Sequence, residues 1–455
     1  MRPIAPVRIL AAGLLVVLGG CRDLSSPGDD ELLGRRGGGA ARCAEPVPDA
    51  QIPLPIAPAS QRVDLVVPTF SNPTSVTNPL FPISQLHSAI LLGTSDGERL
   101  RVETTLLPGT RTIDLGDRKV ETLVSQYVAY LNGRILEVAL DFYAQAEGGA
   151  AWYFGEDVFN YEAGVIANTD GTWIACKNGP AAMIMPANPQ VGNVYRPENA
   201  FPIVFEEVTV KAIGLTLDGP RGLVTGGILV EELHLDATTE EKLFAPGYGE
   251  FSTGSGKDLE AIALAVPTDA LPGPVPAQLV TIVSAADALF EAAGEDDWAT
   301  AGTHLASITA AWDSYRAGGV PAALGEQLST ALKELSQGVH GKKAEAARQG
   351  ALDVALAALD FELRYLPPAT IDLRRFGLRL AQILVDADAD DAAGVTGDVA
   401  TLEWILQRFA HTLKGADLTR IRQQLGLLKE AAKDGDLDEA AEVAEELREL
   451  VAGLP

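Results

Sequence analysis

Two periodicities divide the chain. From about residue 63 to 268, apolar and polar residues alternate with a period of two, in runs bounded by turn dipeptides. Arg99–Leu107, Thr110–Leu115, Glu121–Leu131 and Arg134–Ala144 each read as a strand with one buried face. Asp96-Gly97, Asn132-Gly133, Gly148-Gly149 and Asp170-Gly171 supply residues that tolerate positive φ, as tight hairpin turns require. The strands should therefore follow one another as an antiparallel meander. Tyr127, Tyr130, Phe142, Tyr143, Trp152 and Phe154 suit its buried face. An up-and-down barrel or a curved half-barrel fits this pattern best.

Val266–Pro276 (VPTDALPGPVP) breaks the alternation and marks a domain boundary. Beyond it the period becomes about 3.6. Trp298, Ala301, Leu305, Ile308, Trp312 and Tyr315 form one helical stripe, opened by Asp296 or Asp297. Pro321 opens the next helix, Pro367-Pro368 ends a later one and Thr370 caps another. Thr396 is placed as the cap of a helix whose buried stripe is Leu402, Leu406, Phe409 and Leu413. His411 falls off that stripe and should face water, while Trp404 should cover a neighbouring helix. Two last helices, at about 416–433 and 436–453, are split by Asp434-Gly435. About eight helices with short links predict antiparallel neighbours in a bundle. The expected fold class is α+β multidomain, with an antiparallel β domain over 63–268 and an all-α bundle over 277–455.

The first twenty residues change the picture from a fold to a location. Arg2 and Arg8 precede the uncharged run Ile9–Leu18, and Leu18-Gly19-Gly20-Cys21 follows. The run is too short for a permanent membrane span and suits a signal segment. Leu18-Gly19-Gly20-Cys21 resembles the lipobox of bacterial lipoproteins. That resemblance implies cleavage between Gly20 and Cys21 and acylation of Cys21, with palmitate among the attached chains. Two or more fatty chains hold a protein on a membrane without any further apolar segment, and no other run reads as long enough to span. Arg22 stands where many inner-membrane-retained lipoproteins carry aspartate. In a cell with two membranes, the resemblance therefore implies delivery to the outer one. Residues 21–62, rich in glycine and proline, read as a flexible tether spanning about 35 Å. Loss of residues 1–20 would move the formal charge from −27 to −29. So acidic a surface disfavours nucleic acid as a partner.

The β segment also resembles a family of uncharacterised exported bacterial proteins. The runs that carry the likeness are Asn78–Pro82, Asp141–Ala146 with Trp152–Val158, and Met185–Arg196. The resemblance implies an exported β domain and assigns no reaction and no catalytic residue.

Candidate chemistry is sparse. Cys43 and Cys176 remain after Cys21, and in an oxidising compartment they are candidates for a disulfide. His411-Thr412-Leu413-Lys414 looks like a phosphotransfer motif, but the exported location argues against a cytosolic donor. Gly247–Lys257 fails phosphate-loop spacing, because Asp258 follows the lysine. Asp386, Asp388, Asp390 and Asp391 lack the glycine and glutamate of a calcium loop, and read as a solvated helix end. No two of His87, His234, His304, His340 and His411 have the spacing of paired metal ligands on a helix. Glu137 with Asp141, and Glu156 with Asp157, are carboxylate pairs of the kind glycoside hydrolysis uses, in a chain where acids are common. No catalytic residue, metal or cofactor is assigned. The expectation is an envelope lipoprotein without enzymatic activity, whose β domain binds an apolar ligand or an envelope protein. The alternatives are a hydrolase acting on envelope polymers and a structural or assembly factor.

Overall fold

The computed structural model describes residues 43–454. The expected signal segment, Gly20, Cys21 and the first half of the expected tether lie outside the described residues. Among the described residues, fourteen strands build one antiparallel sheet. They are β1 (Ser88–Ser95), β2 (Glu98–Asp114), β3 (Lys119–Leu131), β4 (Arg134–Gln145), β5 (Ala151–Glu162), β6 (Val165–Asn168), β7 (Trp173–Ile174) and β8 (Ala182–Met185), followed by β9 (Val194–Ala200), β10 (Val204–Gly219), β11 (Gly222–His234), β12 (Thr239–Ala245), β13 (Gly249–Ser255) and β14 (Asp258–Val266). One meander runs from β1 out to β6 and a second from β9 back to β14, and β1 pairs with β14 where they meet. β7 and β8 both fold back onto β5. The sheet is strongly curved and does not close into a barrel. Register shifts recur in most of its ladders, and each bulge bends its strand.

Turn chemistry explains most hairpins. Asp96-Gly97 and Asn132-Gly133 both adopt positive φ at their two positions, as a right-twisted two-residue turn demands. Ala163-Gly164 does the same between β5 and β6, with an alanine the sequence did not advertise. Gly164 is required there twice over, since a Cβ would stand 2.4 Å from Ala393 O. Asp170-Gly171 does not join a hairpin; it lets the chain turn from β6 to a second pairing with β5 at β7. Arg99–Leu107 and Thr110–Leu115 are not two strands. They form β2, kinked where Pro108 cannot donate to the ladder.

The eight helices among the described residues are α1 (Ala277–Gly294), α2 (Trp298–Arg316), α3 (Ala322–Gly341) and α4 (Ala344–Glu362), then α5 (Pro368–Asp388), α6 (Ala392–Phe409), α7 (Gly415–Asp434) and α8 (Leu437–Ala452). Asp297, Asp391 and Asp436 cap α2, α6 and α8 by accepting from the backbone amides of Thr300, Gly394 and Glu439. Two expected caps are corrected. Pro367 precedes α5 with Pro368 as its first residue, so Thr370 lies inside the helix. Thr396 lies inside α6, where its hydroxyl donates to Ala392 O. A further correction concerns α1, which is long and apolar enough to cross a membrane. Here its apolar character serves the core, where Leu279, Ile282, Leu289 and Phe290 are buried.

Sheet and helices share that core. Ile90, Leu264 and Val266 of β1 and β14 pack in one cluster with residues of α1 to α5. Beside it, β2 meets α4, α5 and α6 in a buried ionic group. Arg101 Nη1 donates to Asp360 Oδ2 at 2.6 Å, Arg375 Nη2 to Asp360 Oδ1 at 2.7 Å, and Arg408 Nη1 to Glu103 Oε2 at 2.6 Å. Trp404 covers β5 rather than a neighbouring helix: its indole nitrogen donates to Tyr161 Oη at 2.8 Å and its ring lies 5.1 Å from Phe159. His411 is exposed in a short 3₁₀ turn after α6. The proline-rich boundary is stitched into the fold, with Asp269 fully buried and accepting from Tyr248 Oη and Ala265 N.

Residues 43–62, expected to be the flexible end of the tether, are fastened to the sheet. Arg196 Nη1 donates to Asp49 Oδ1 at 2.8 Å, Ala57 N donates to Glu207, and Arg62 bridges to Val194. Prolines prevent a helix but allow an extended segment, and here it covers the free edge of β9.

Candidate functional site

The helices occupy one face of the sheet, and the other face curves around a cavity of about 130 Å³. Strand alternation sorts the two faces. Ile90 points to the helices while Ala89 and Leu91 line the cavity; Glu103 enters the ionic group while Val102 and Thr104 line the cavity. Phe81 and Leu86, from the loop before β1, close part of the wall. Asn78 fixes that loop, with its amide donating to Gly149 O and Pro186 O at 3.0 Å each.

The lining is apolar in bulk and acidic in its polar groups. Leu91, Val102, Val208 and Phe244 give hydrocarbon, and Tyr127, Tyr143, Tyr153, Tyr195 and Tyr248 give aromatic surface. Among the described residues, Glu137, Asp141, Glu156, Glu198, Glu206, Glu232, Glu250 and Glu260 give eight carboxyl groups, against the single basic lining residue Lys242. The register sets acids directly opposite each other: Asp141 faces Glu156, Glu198 faces Glu206, and Glu232 faces Glu240. Like charges in cross-strand pairs are destabilising. Gly155, at φ 115°, helps build this wall, because the bulge around it turns both Tyr153 and Glu156 into the cavity.

The acids fall into two groups. In the first, bases answer them: Lys242 Nζ lies 2.6 Å from Glu232 Oε2, and His234 Nδ1 lies 3.4 Å from Glu206 Oε1. Burial pushes Glu206 up, but the hydrogen bond from His234 and the charge of Lys242 hold it below the ordinary range. Burial lowers His234, and the contact with Glu206 more than reverses this. Glu206, Glu232 and His234 have ligand atoms within 4.8 Å of one another, the spacing of a metal site. With Lys242 already against Glu232 and His234 favouring its protonated form, that set fits two internal ion pairs better than a metal.

In the second group no acid is paired with a base among the described residues. Burial, with Asp141 adding to it, pushes Glu137 up to about 8. Burial lifts Asp141 to about 7 against the hydrogen bonds of Tyr153 and Tyr143, and Tyr153 Oη donates to Asp141 Oδ1 at 2.8 Å. Burial, then the charges of Glu198 and Asp141, carries Glu156 well above the carboxylate range. Glu198 and Glu260 are raised by burial and by Glu206 and Glu250 respectively. Glu156 Oε1, Glu260 Oε2 and Tyr195 Oη are buried and make no hydrogen bond among the described residues.

The other candidate residues are scattered. Cys43 and Cys176 are joined by a disulfide, with the sulfurs 2.06 Å apart. Asp388 and Asp390 are exposed, as a solvated helix end would have them, and the half-buried Asp391 caps α6 and pairs with Arg134 of β4; only Asp386, buried against Arg134, departs from that expectation. Gly247–Lys257 forms the β13 hairpin. Of the two carboxylate pairs, Glu137 and Asp141 both enter the cavity, whereas Asp157 turns away from Glu156 to Arg111. One signal was available in the sequence: Glu137 and Asp141 share strand parity with Ala139 and Tyr143, on a face that should be buried. Comparison of the sequence with protein-family models and with curated proteins finds no match.

Proposed function

We propose that the chain is a non-enzymatic envelope lipoprotein, anchored through Cys21, that binds a small ligand in the cavity of its curved sheet. The observation that carries the binding part is the cavity itself, walled by residues of twelve of the fourteen strands. Concave, mostly apolar sites with a few convergent polar groups are the usual form of small-ligand sites. The anchor rests on the ordered basic, apolar and small-residue elements that precede Cys21. Hydrolysis of an envelope polymer has less support, because the convergent carboxyls line a cavity of only about 130 Å³.

Two measurements test the reading. Metabolic palmitate labelling should mark the wild-type chain and fail on Cys21→Ser, and equal labelling would refute the anchor. Native mass spectrometry of the chain released gently from membranes should show a bound small molecule that Ala139→Leu, which narrows the cavity, depletes. A wild-type chain that carries no adduct and takes up no small ligand in solution would refute the binding part.

A further inference from the structure

We propose that the cavity takes a small organic cation, an ammonium group carried on a hydrocarbon or aromatic body; this rests on the ligand-binding reading above. The site lies where Asp141, Glu156 and Glu198 converge. Asp141 and Glu156 are cross-strand partners, and Glu198 borders Glu156 closely enough to raise it. All three are at least nine-tenths buried, and no lysine, arginine or histidine is paired with any of them among the described residues. A fold that needed only to fill this space would use apolar residues, since buried acids without a basic partner destabilise it. The second observation does not depend on the acids. Tyr195 is 1% exposed and lines the cavity, and its hydroxyl makes no hydrogen bond within the described protein. Its oxygen can accept from an ammonium N–H, and the carboxylates supply the countercharge. Leu91, Val102, Val208 and Phe244 receive the apolar body. The volume suits a body of benzene or hexyl size, since an apolar cavity of about 150 Å³ holds benzene.

A bare divalent cation fits less well. Calcium wants six to eight oxygens around it, and much of this wall is hydrocarbon and aromatic ring. Protons are the remaining neutralisers. The cluster holds them in the free protein, and a bound ammonium replaces them as the countercharge.

The test uses the full chain and three isosteric probes: n-hexylammonium, n-hexanol and n-hexanoate, titrated by calorimetry at pH 8, with calcium chloride in parallel. Hexylammonium should bind at least about tenfold more tightly than hexanol, and hexanoate should not bind. Glu156→Gln combined with Asp141→Asn should reduce the ammonium preference to less than about threefold, while hexanol binding holds. If the double variant does not fold, Glu198→Gln alone carries the same comparison. Hexanol bound as tightly as hexylammonium would overturn the cation inference and leave the ligand-binding reading standing. No binding by any of the three probes would overturn both. Heat with calcium but none with hexylammonium would overturn the inference in favour of a metal site.

Discussion

Asp360→Asn removes one charge from the centre of the junction between sheet and helices. The Asp360 side chain is fully buried and accepts from Arg101 Nη1 and Nη2 at 2.6 and 2.9 Å and from Arg375 Nη2 at 2.7 Å. Together with Glu103, Asp372 and Arg408, the group balances three arginines against three carboxylates. Asparagine keeps the shape but leaves one guanidinium charge without its counterpart, and breaking a buried pair from one side costs about 3–5 kcal/mol. How far Tm moves depends on the size of the cooperative unit. At about 2.1 cal/mol/K of unfolding entropy per residue, a loss of about 4 kcal/mol shifts a unit of about 400 residues by about 5 °C, and a helical unit of about 180 residues melting alone by about 10 °C. The apolar cluster crosses from β1 and β14 into α1 to α5, so a single transition and the smaller shift are expected. Circular dichroism in the far and near ultraviolet reads both quantities. Two transitions, with only the helical one displaced by the larger amount, would refute the shared core. A shift below about 1 °C would refute the energetic role of the ionic group. Removing the facing charge as well, with Arg101→Gln beside Asp360→Asn, should restore part of the loss.

Three further outcomes are expected. Glu137 and Asp141 have folded pKa values raised to about 8 and 7, so the folded state holds protons that the unfolded state releases. That stabilisation is complete below about pH 4, the unfolded range, and is lost as pH rises through about 7 to 8. Denaturant midpoints should therefore fall between pH 5.5 and pH 9, and an unchanged midpoint would sink the assignment of neutral acids. Cys176→Ser opens a cross-link between residues 133 apart, which should cost about 2–5 kcal/mol by thermal melt; an unchanged Tm would argue against the bond. His411→Ala should melt within about 0.5 kcal/mol of wild type, since the side chain is exposed, whereas Trp404→Ala should lose about 2–4 kcal/mol with the Phe159 and Tyr161 contacts. The reverse order would show that the face of α6 is misassigned.

Local rules in the sequence were enough to determine the class of each half. Alternation between Arg99 and Ala144, and the Asn132-Gly133 turn, depend on neighbours in the chain, so β3 and β4, and β2 in two pieces, are legible without the fold. The stripe from Trp298 to Tyr315 and the Asp297 cap are legible for the same reason. Boundaries failed where the signal was ambiguous. Thr370 and Thr396 resemble caps, but Pro367 and Asp391 start those helices three and five residues earlier. The tertiary structure alone decided how the halves meet. Arg101 and Glu103 sit on a strand and Asp360, Arg375 and Arg408 on three helices, and no local pattern says that they converge. The cavity was hidden for a related reason. Glu137, Asp141, Glu156 and Glu198 are ordinary acids along a chain with 62 Asp and Glu residues, and only strand register and curvature bring them together. Register depends on pairings between distant segments, and curvature on bulges such as that at Gly155, where a Cβ would stand 2.2 Å from Trp173 O.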